Sequence, residues 1–531
     1  MRFLCLYDRI IRRLFALVNK LYGFYLDFTM VLTFAAVPWD IALPRGFWYN
    51  IGMETNIKTT NKPRKALEVI LTVLIPVIAL GAFVWWLIKA EELTVQGVIM
   101  AALTLGVFTV ALIIAVPAFI RFINREVKAR VKPLGDRSMR RSRLHPAIVA
   151  ALSVLAARII LAVAAYVLFT AIKGYSGSFF ATLERIWYKL DTDAPHYLSI
   201  AQSGYVTTEP EMYNIVFLPL FPWLIRAFGL VFRSGFVSAC VINTLASCAA
   251  GAVIYELALC DMGRRAAKLA VVFAFAMPAA IFFLAPMSEP LFLLLTAGCL
   301  LAARKGKFWL GAVLGALASF TRSVGIIMLL PFVMELIVHT VRKVKAEETK
   351  PLPAWAKAAA CVLIFCLGTF FYLLINKLVW GDWFKFLEFQ KSVWFQQLGP
   401  FFGTASTQTN YLFRAFGTET ADVLGLWIPN LLYILGALAV LVLTARTLRS
   451  SYTLCFAAYF AITCGATWLL SAPRYLTALV VLPIALAHLC QGRDDGVALA
   501  RSRAKAAAVT TLLLMGQAAY LVMYILEYSI Y

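Results

Sequence analysis

Uninterrupted apolar runs of about 18 to 25 residues recur from residue 66 to the C-terminus, and each is long enough to cross a hydrocarbon layer roughly 30 Å thick. A chain built this way must satisfy its backbone hydrogen bonds inside lipid, as helices do. Runs of this length specify helices. Of the 531 residues, 62% are hydrophobic and only 14% charged, against roughly a quarter charged in soluble domains. A soluble enzyme is excluded, and an all-α polytopic membrane protein is expected.

The formal net charge of +22 would suggest nucleic acid in a soluble protein. Here the basic residues sit in short loops between apolar runs, where they set topology, so no nucleic-acid partner is expected. Two runs near 66–88 and 93–120 form a hairpin (61–120) behind an N-terminal segment (1–60), read as amphipathic and interfacial. The linker 121–146 carries Arg125, Lys128, Arg130, Lys132, Arg137, Arg140 and Arg141 and is placed on the inner side. The remainder, 147–531, reads as one transmembrane domain with long outer loops at 173–234 and 380–423. The run IVFLPLFPWLIRAFGLVF (215–232) is placed in the outer interface, because counting it as a span would scatter the basic clusters at 264–268, 304–307 and 342–345 onto both sides. About thirteen spans result, with short interfacial helices in the outer loops. Ten cysteines lie in or beside apolar runs without CxxC spacing, so neither a disulfide framework nor a zinc site is indicated.

This topology gathers one set of chemistry-bearing residues at the outer face. LDTDAPHYLSIAQSGY (190–205), PMSEP (286–290), TRSVG (321–325) and SAPRYL (471–476) all fall there. Ionisable groups where apolar spans stop are costly, which marks Glu289, Arg322 and Arg474. Asp191 and Asp193 suit a general base, a divalent-cation site or simply a solvated pair of loop carboxylates. His196 suits an interfacial hydrogen-bonder as well as a catalyst. Arg322 and Arg474 suit bidentate phosphate binding, or tying together loop carbonyls and carboxylates. Arg158, inside a span, is expected to snorkel or to be paired.

The segment Asp193-Ala-Pro-His-Tyr-Leu-Ser-Ile-Ala-Gln-Ser-Gly-Tyr205 resembles the WD-x-x-H-[YF]-L-x-I-A-x-x-G-Y signature of the PIG-V family, GPI mannosyltransferase 2-like members of the GT-C glycosyltransferases. Asn214–Pro222 resembles that family's FxPLYP stretch, Met287–Phe292 its YSE-x-LF turn, Thr321–Gly325 its TRSNG turn and Ser471–Leu476 its RYL motif. These matches keep the family's order across about residues 147–490. Thr192 replaces the family's tryptophan, Val324 its asparagine, and Asp191 creates an Asp-x-Asp. The resemblance implies a GT-C-type bundle and an inverting transferase, mannosyltransferase-like, that moves a sugar from a polyprenyl- or dolichyl-phosphate donor to a hydroxyl of a lipid or glycan acceptor. It implies Asp193 as base, with Asp191 beside it, and Arg322 or Arg474 on the leaving phosphate. His196, Tyr197 and Glu289 would bind substrate. A monophosphate donor requires no cofactor, although Asp191 and Asp193 leave a divalent cation open. A bacterial plasma membrane is the expected location, with the endoplasmic reticulum as the alternative. A polyprenyl-glycan flippase and a non-catalytic assembly subunit are the competing readings.

Overall fold

A computed structural model describes residues 62–128, 145–189, 192–491 and 496–531. The expected N-terminal interfacial segment, most of the basic linker and Asp191 lie outside the described residues. Among the described residues the chain is all-helical. In order the helices are α1 (Lys62–Lys89), α2 (Val95–Lys128), α3 (Pro146–Lys173), α4 (Phe179–Trp187), α5 (Ala194–Ser203), α6 (Leu220–Phe232), α7 (Gly235–Leu259), α8 (Arg264–Ala276), α9 (Glu289–Arg304) and α10 (Phe308–Thr321). There follow α11 (Leu329–Lys345), α12 (Pro351–Trp380), α13 (Lys385–Ser392), α14 (Phe401–Ala415), α15 (Ile428–Thr444), α16 (Ser450–Thr463), α17 (Ala472–Thr477), α18 (Val481–Leu489) and α19 (Gly496–Ile525).

Among the described residues, eight helical segments are long and apolar enough to cross a membrane: Leu67–Lys89, Val95–Ile123, Pro146–Lys173, Gly235–Leu259, Ser323–Lys345, Pro351–Trp380, Thr420–Thr444 and Val497–Ile525. The other five runs read as spans are shorter or interrupted helices. The run 269–286 breaks at Pro278, which lacks an N–H and disfavours helix in Met277 before it, so α8 gives way to a 3₁₀ turn over Pro278–Phe283. Helix α9, at 16 residues, covers only about 24 Å along its axis. The apolar run at 215–232 folds as the 13-residue α6, too short to cross alone.

Local sequence sets several of the ends. Ser234 Oγ accepts the Val237 amide to cap α7, and His145 does the same for α3 at Ala147, whose other end closes on Gly174 in the left-handed conformation. The bundle centre is α7 against α3 and α9, with α10 between α9 and α12. Small residues allow the α10–α12 crossing, as is usual for helices packed in lipid. A Cβ on Gly368 would overlap the Ala316 carbonyl, and one on Gly315 the Phe365 ring. Gly368→Ala is therefore expected to destabilise the fold by about 1–3 kcal/mol, by the overpacking rule, in denaturation of the nanodisc-embedded protein. Gly229→Ala, with nothing within 4 Å of the added atom, is the matched control expected to show no change.

The hairpin of α1 and α2 is integrated into the bundle. Helix α2 packs against α14, α15 and α11, and Trp86 of α1 meets Phe402 edge-on at 5.8 Å. At the hairpin turn Thr94 bonds Asn410, and Glu92 pairs with Arg414. At the end of the bundle where the basic loops lie, Arg304 holds Asp261 at 2.6 Å and Glu335 at 3.8 Å, and Arg449 holds Glu335 at 2.6 Å, which ties α9, the α7–α8 loop, α11 and the start of α16 together.

Candidate active site

Three interrupted helices meet at the other end, and each interruption frees backbone groups that lipid could not satisfy. Around Pro278 the freed carbonyls are answered by side chains from neighbouring helices. Gln517 Nε2 donates to Phe275 O (3.0 Å) and Met277 O (3.2 Å), and Asn243 Nδ2 donates to Ala285 O (2.6 Å) and Met287 O (3.0 Å). Arg158 donates to Phe283 O at 2.7 Å, and also to Ser247 and Thr244. Arg158 is 6% exposed, so it does not snorkel; its guanidinium is part of this frame. The framed segment ends in Ser288 and Glu289, with Pro286 and Pro290 on either side and α9 starting at Glu289.

Glu289 is 1% exposed and anchors both candidate arginines. Its Oε1 accepts from Arg474 Nε (3.0 Å) and pairs with Arg474 Nη2 (2.9 Å) and Arg322 Nη1 (2.8 Å), while Oε2 is buried and has no hydrogen-bond partner. Arg322 arrives from the extended residue that ends α10, and its guanidinium lies over the Tyr475 ring at 5.1 Å. Arg474 comes from α17, a six-residue helix opened by Pro473. Its Nη2 also pairs with Asp193 Oδ2.

Asp193 occupies the N-cap position of α5 without capping it, so its carboxylate is turned to Arg474 instead of the helix amides. Its side chain is 30% exposed, whereas those of Glu289, Arg322 and Arg474 are 9% or less. Two carboxylates and two guanidiniums balance in charge. The arrangement separates the carboxylates by role: Glu289 is sealed in and loaded with donors, and Asp193 sits at the accessible margin.

Tyr197 joins through Ser288, whose Oγ lies 2.8 Å from the phenol oxygen and accepts from Arg322 Nη1 at 3.1 Å. Burial pushes the Tyr197 phenol above its ordinary range, which keeps the hydroxyl protonated as a hydrogen-bonding group. His196 stands apart from the ion pairs. It stacks on Phe217 at 4.6 Å, meets the edge of Trp394 at 6.2 Å, and places Nδ1 2.7 Å from Asn214 Oδ1. Of the residues singled out by sequence, Asp193, Glu289, Arg322, Arg474 and Tyr197 form one connected cluster, with His196 one helical turn from Asp193 on α5.

The arginines tie carboxylates together, one of the two alternatives left open by sequence. Ser288 was within a noted turn but was not singled out. Asn243, Asn430 and Gln517 were missed, although an amide inside an apolar run is itself the signal, and Gln408, in the second outer loop, carried no such signal. Among the described residues no three His, Cys, Asp or Glu side chains cluster as a metal site.

Residues 147–378 match the family model described as Mannosyltransferase (PIG-V), as the motifs implied. That region holds Asp193, Glu289 and Arg322; Arg474 lies beyond it. Part of the chain is 33% identical over 147 residues to GPI alpha-1,6-mannosyltransferase 2 of Cricetulus griseus, covering 25% of this chain and 29% of that protein. The Mus musculus protein of that name is 32% identical over 149 residues, covering 26% and 29%. The chain thus spans under a third of the length of these curated relatives. Among solved structures, ArnT from Cupriavidus metallidurans bound to undecaprenyl phosphate is 14% identical, with a TM-score of 0.31, over 70% of this chain and 75% of that one.

Proposed function

We propose that this chain is an inverting membrane mannosyltransferase, in which Asp193 takes the proton from an acceptor hydroxyl as that oxygen attacks C1 of a mannose carried on a polyprenyl phosphate. The acceptor is a hydroxyl of a glycolipid or cell-envelope glycan. The observation that carries the reading is the partly exposed Asp193 carboxylate held against Arg474 at the edge of an otherwise buried charge cluster. The match of residues 147–378 to the mannosyltransferase family supports the sugar and the reaction class.

The bookkeeping of charge fits the chemistry. As the acceptor oxygen bonds to C1, the C1–O bond to phosphate breaks, the hydroxyl proton passes to Asp193, and the phosphodiester monoanion becomes a monoester dianion. Protonation of Asp193 removes one of the two carboxylate partners of Arg474 while charge grows on the departing phosphate. A guanidinium held in place by Glu289 then offers stabilisation without reorganising. General-base assistance of this kind contributes about 10²–10⁴-fold.

The test is transfer from a short-chain polyprenyl-phosphate-mannose to a panel of glycolipid acceptors, with the anomeric configuration of the product read by NMR. Inversion is expected; a retained configuration would remove Asp193 from the role of base. The reaction as written uses no metal, so excess EDTA is expected to leave the rate unchanged. Loss of rate restored by Mg²⁺ or Mn²⁺ would instead assign a cation to Asp191 and Asp193.

A further inference from the structure

The loop that delivers Arg474 is held by two neutral amides that lie outside every motif noted in the sequence. Gln408, from α14, is 2% exposed and donates from Nε2 to Leu469 O at 2.6 Å. Asn430, from the first turn of α15, is 1% exposed and donates from Nδ2 to the same carbonyl at 2.9 Å and to Gln408 Oε1 at 3.0 Å. Its Oδ1 accepts the Ala472 amide at 3.1 Å. Ala472 is the first residue of α17, whose opening amides have no partner within the helix, so Asn430 acts as a cap supplied from another helix. Arg474 follows two residues later.

We infer that Gln408 and Asn430 form an amide bracket that positions Arg474, and through it Asp193, for the transfer step. Both amides spend their hydrogen bonds on the two ends of the Leu469–Ala472 turn and on each other. With Asn430 removed, the Ala472 amide and the Leu469 carbonyl lose partners in a water-poor interior, and α17 must shift or fray to recover them. A guanidinium that contacts Asp193 and Glu289 within about 3 Å tolerates little of that movement, since a misplacement of about 1 Å can cost on the order of a hundredfold in rate. The same bracket connects α14, on which the α1–α2 hairpin docks through Thr94 and Asn410, to the reacting end.

The kinetic arm rests on the proposed transfer reaction, and the structural arm does not. In nanodiscs, Asn430→Ala and the milder Gln408→Met are compared with wild type. The kcat for mannose transfer is expected to fall by on the order of tenfold or more for Asn430→Ala and less for Gln408→Met, with KM for the lipid-linked sugar changed less than about twofold. In an Arg474→Lys background, Asn430→Ala is expected to cost much less than in wild type, because residues acting through one partner are not additive. A cryo-EM map of Asn430→Ala should show Arg474 displaced from Glu289. An unchanged kcat in a folded variant, or Arg474 still bridging Asp193 and Glu289 in that map, would overturn the inference. Should the wild-type protein transfer no sugar, the function reading falls and the map alone decides the bracket.

Discussion

Asp193→Asn is expected to lower the rate of mannose transfer by about 10²–10⁴-fold while leaving the protein folded. The amide keeps the size and one oxygen of the carboxylate, so Arg474 retains a hydrogen-bond acceptor; the proton acceptor is lost. Because Asp193 is partly exposed and at the margin of the cluster, its neutralisation leaves Glu289 in place as the anchor of both arginines. Thermal unfolding should therefore stay close to wild type. A folded Asp193→Asn protein with wild-type transfer would end the base assignment.

Glu289→Gln should produce the opposite pattern, a large loss of stability. Breaking a buried ion pair by removing one partner costs about 3–5 kcal/mol, because the remaining charge stays buried without compensation. Here one substitution leaves Arg474 paired with Asp193 alone and takes away the carboxylate that pairs with Arg322. Denaturation in a defined detergent would measure the loss, with Glu527→Gln as the control. The Lys173–Glu527 pair is solvent-exposed at 33% and 70%, and exposed pairs of that kind contribute little, so no comparable shift is expected. Equal effects of the two substitutions would contradict the anchoring role of Glu289.

The contrast between these two carboxylates was only partly legible in the sequence. Glu289, Arg322 and Arg474 announce themselves because each charge falls where an apolar run stops, and basic loops on alternate turns put them at one end. Charge placement says nothing about pairing, however. The Glu289 bridge between the two arginines depends on three turns more than 30 residues apart in sequence that converge only when α9, α10 and α17 pack. Asp193 was favoured by its place in the motif; its turn away from the helix amides appears only in three dimensions.

Breaks inside an apolar run are also hard to read from sequence. The run 269–286 looks uniform in hydropathy, and Pro278 was the available sign of its break. Such a break is tolerated because Arg158, Asn243 and Gln517 supply donors to the freed carbonyls, and a lone polar residue in an apolar run does not reveal which carbonyl it serves. Arg158 shows the same limit: its place in a span is visible, but its partner Phe283 is 125 residues away. Gln408 and Asn430 carry no charge to mark them in the sequence, yet neutral amides carry much of the framing in this fold.

The most direct measurement follows donor and product together. Wild-type protein in sealed proteoliposomes is given a short-chain polyprenyl phosphate carrying labelled mannose, with a glycolipid acceptor. The account predicts one labelled glycoside formed for each polyprenyl phosphate released. Movement of the intact labelled lipid between leaflets, with no new glycoside, would contradict it and make the protein a flippase.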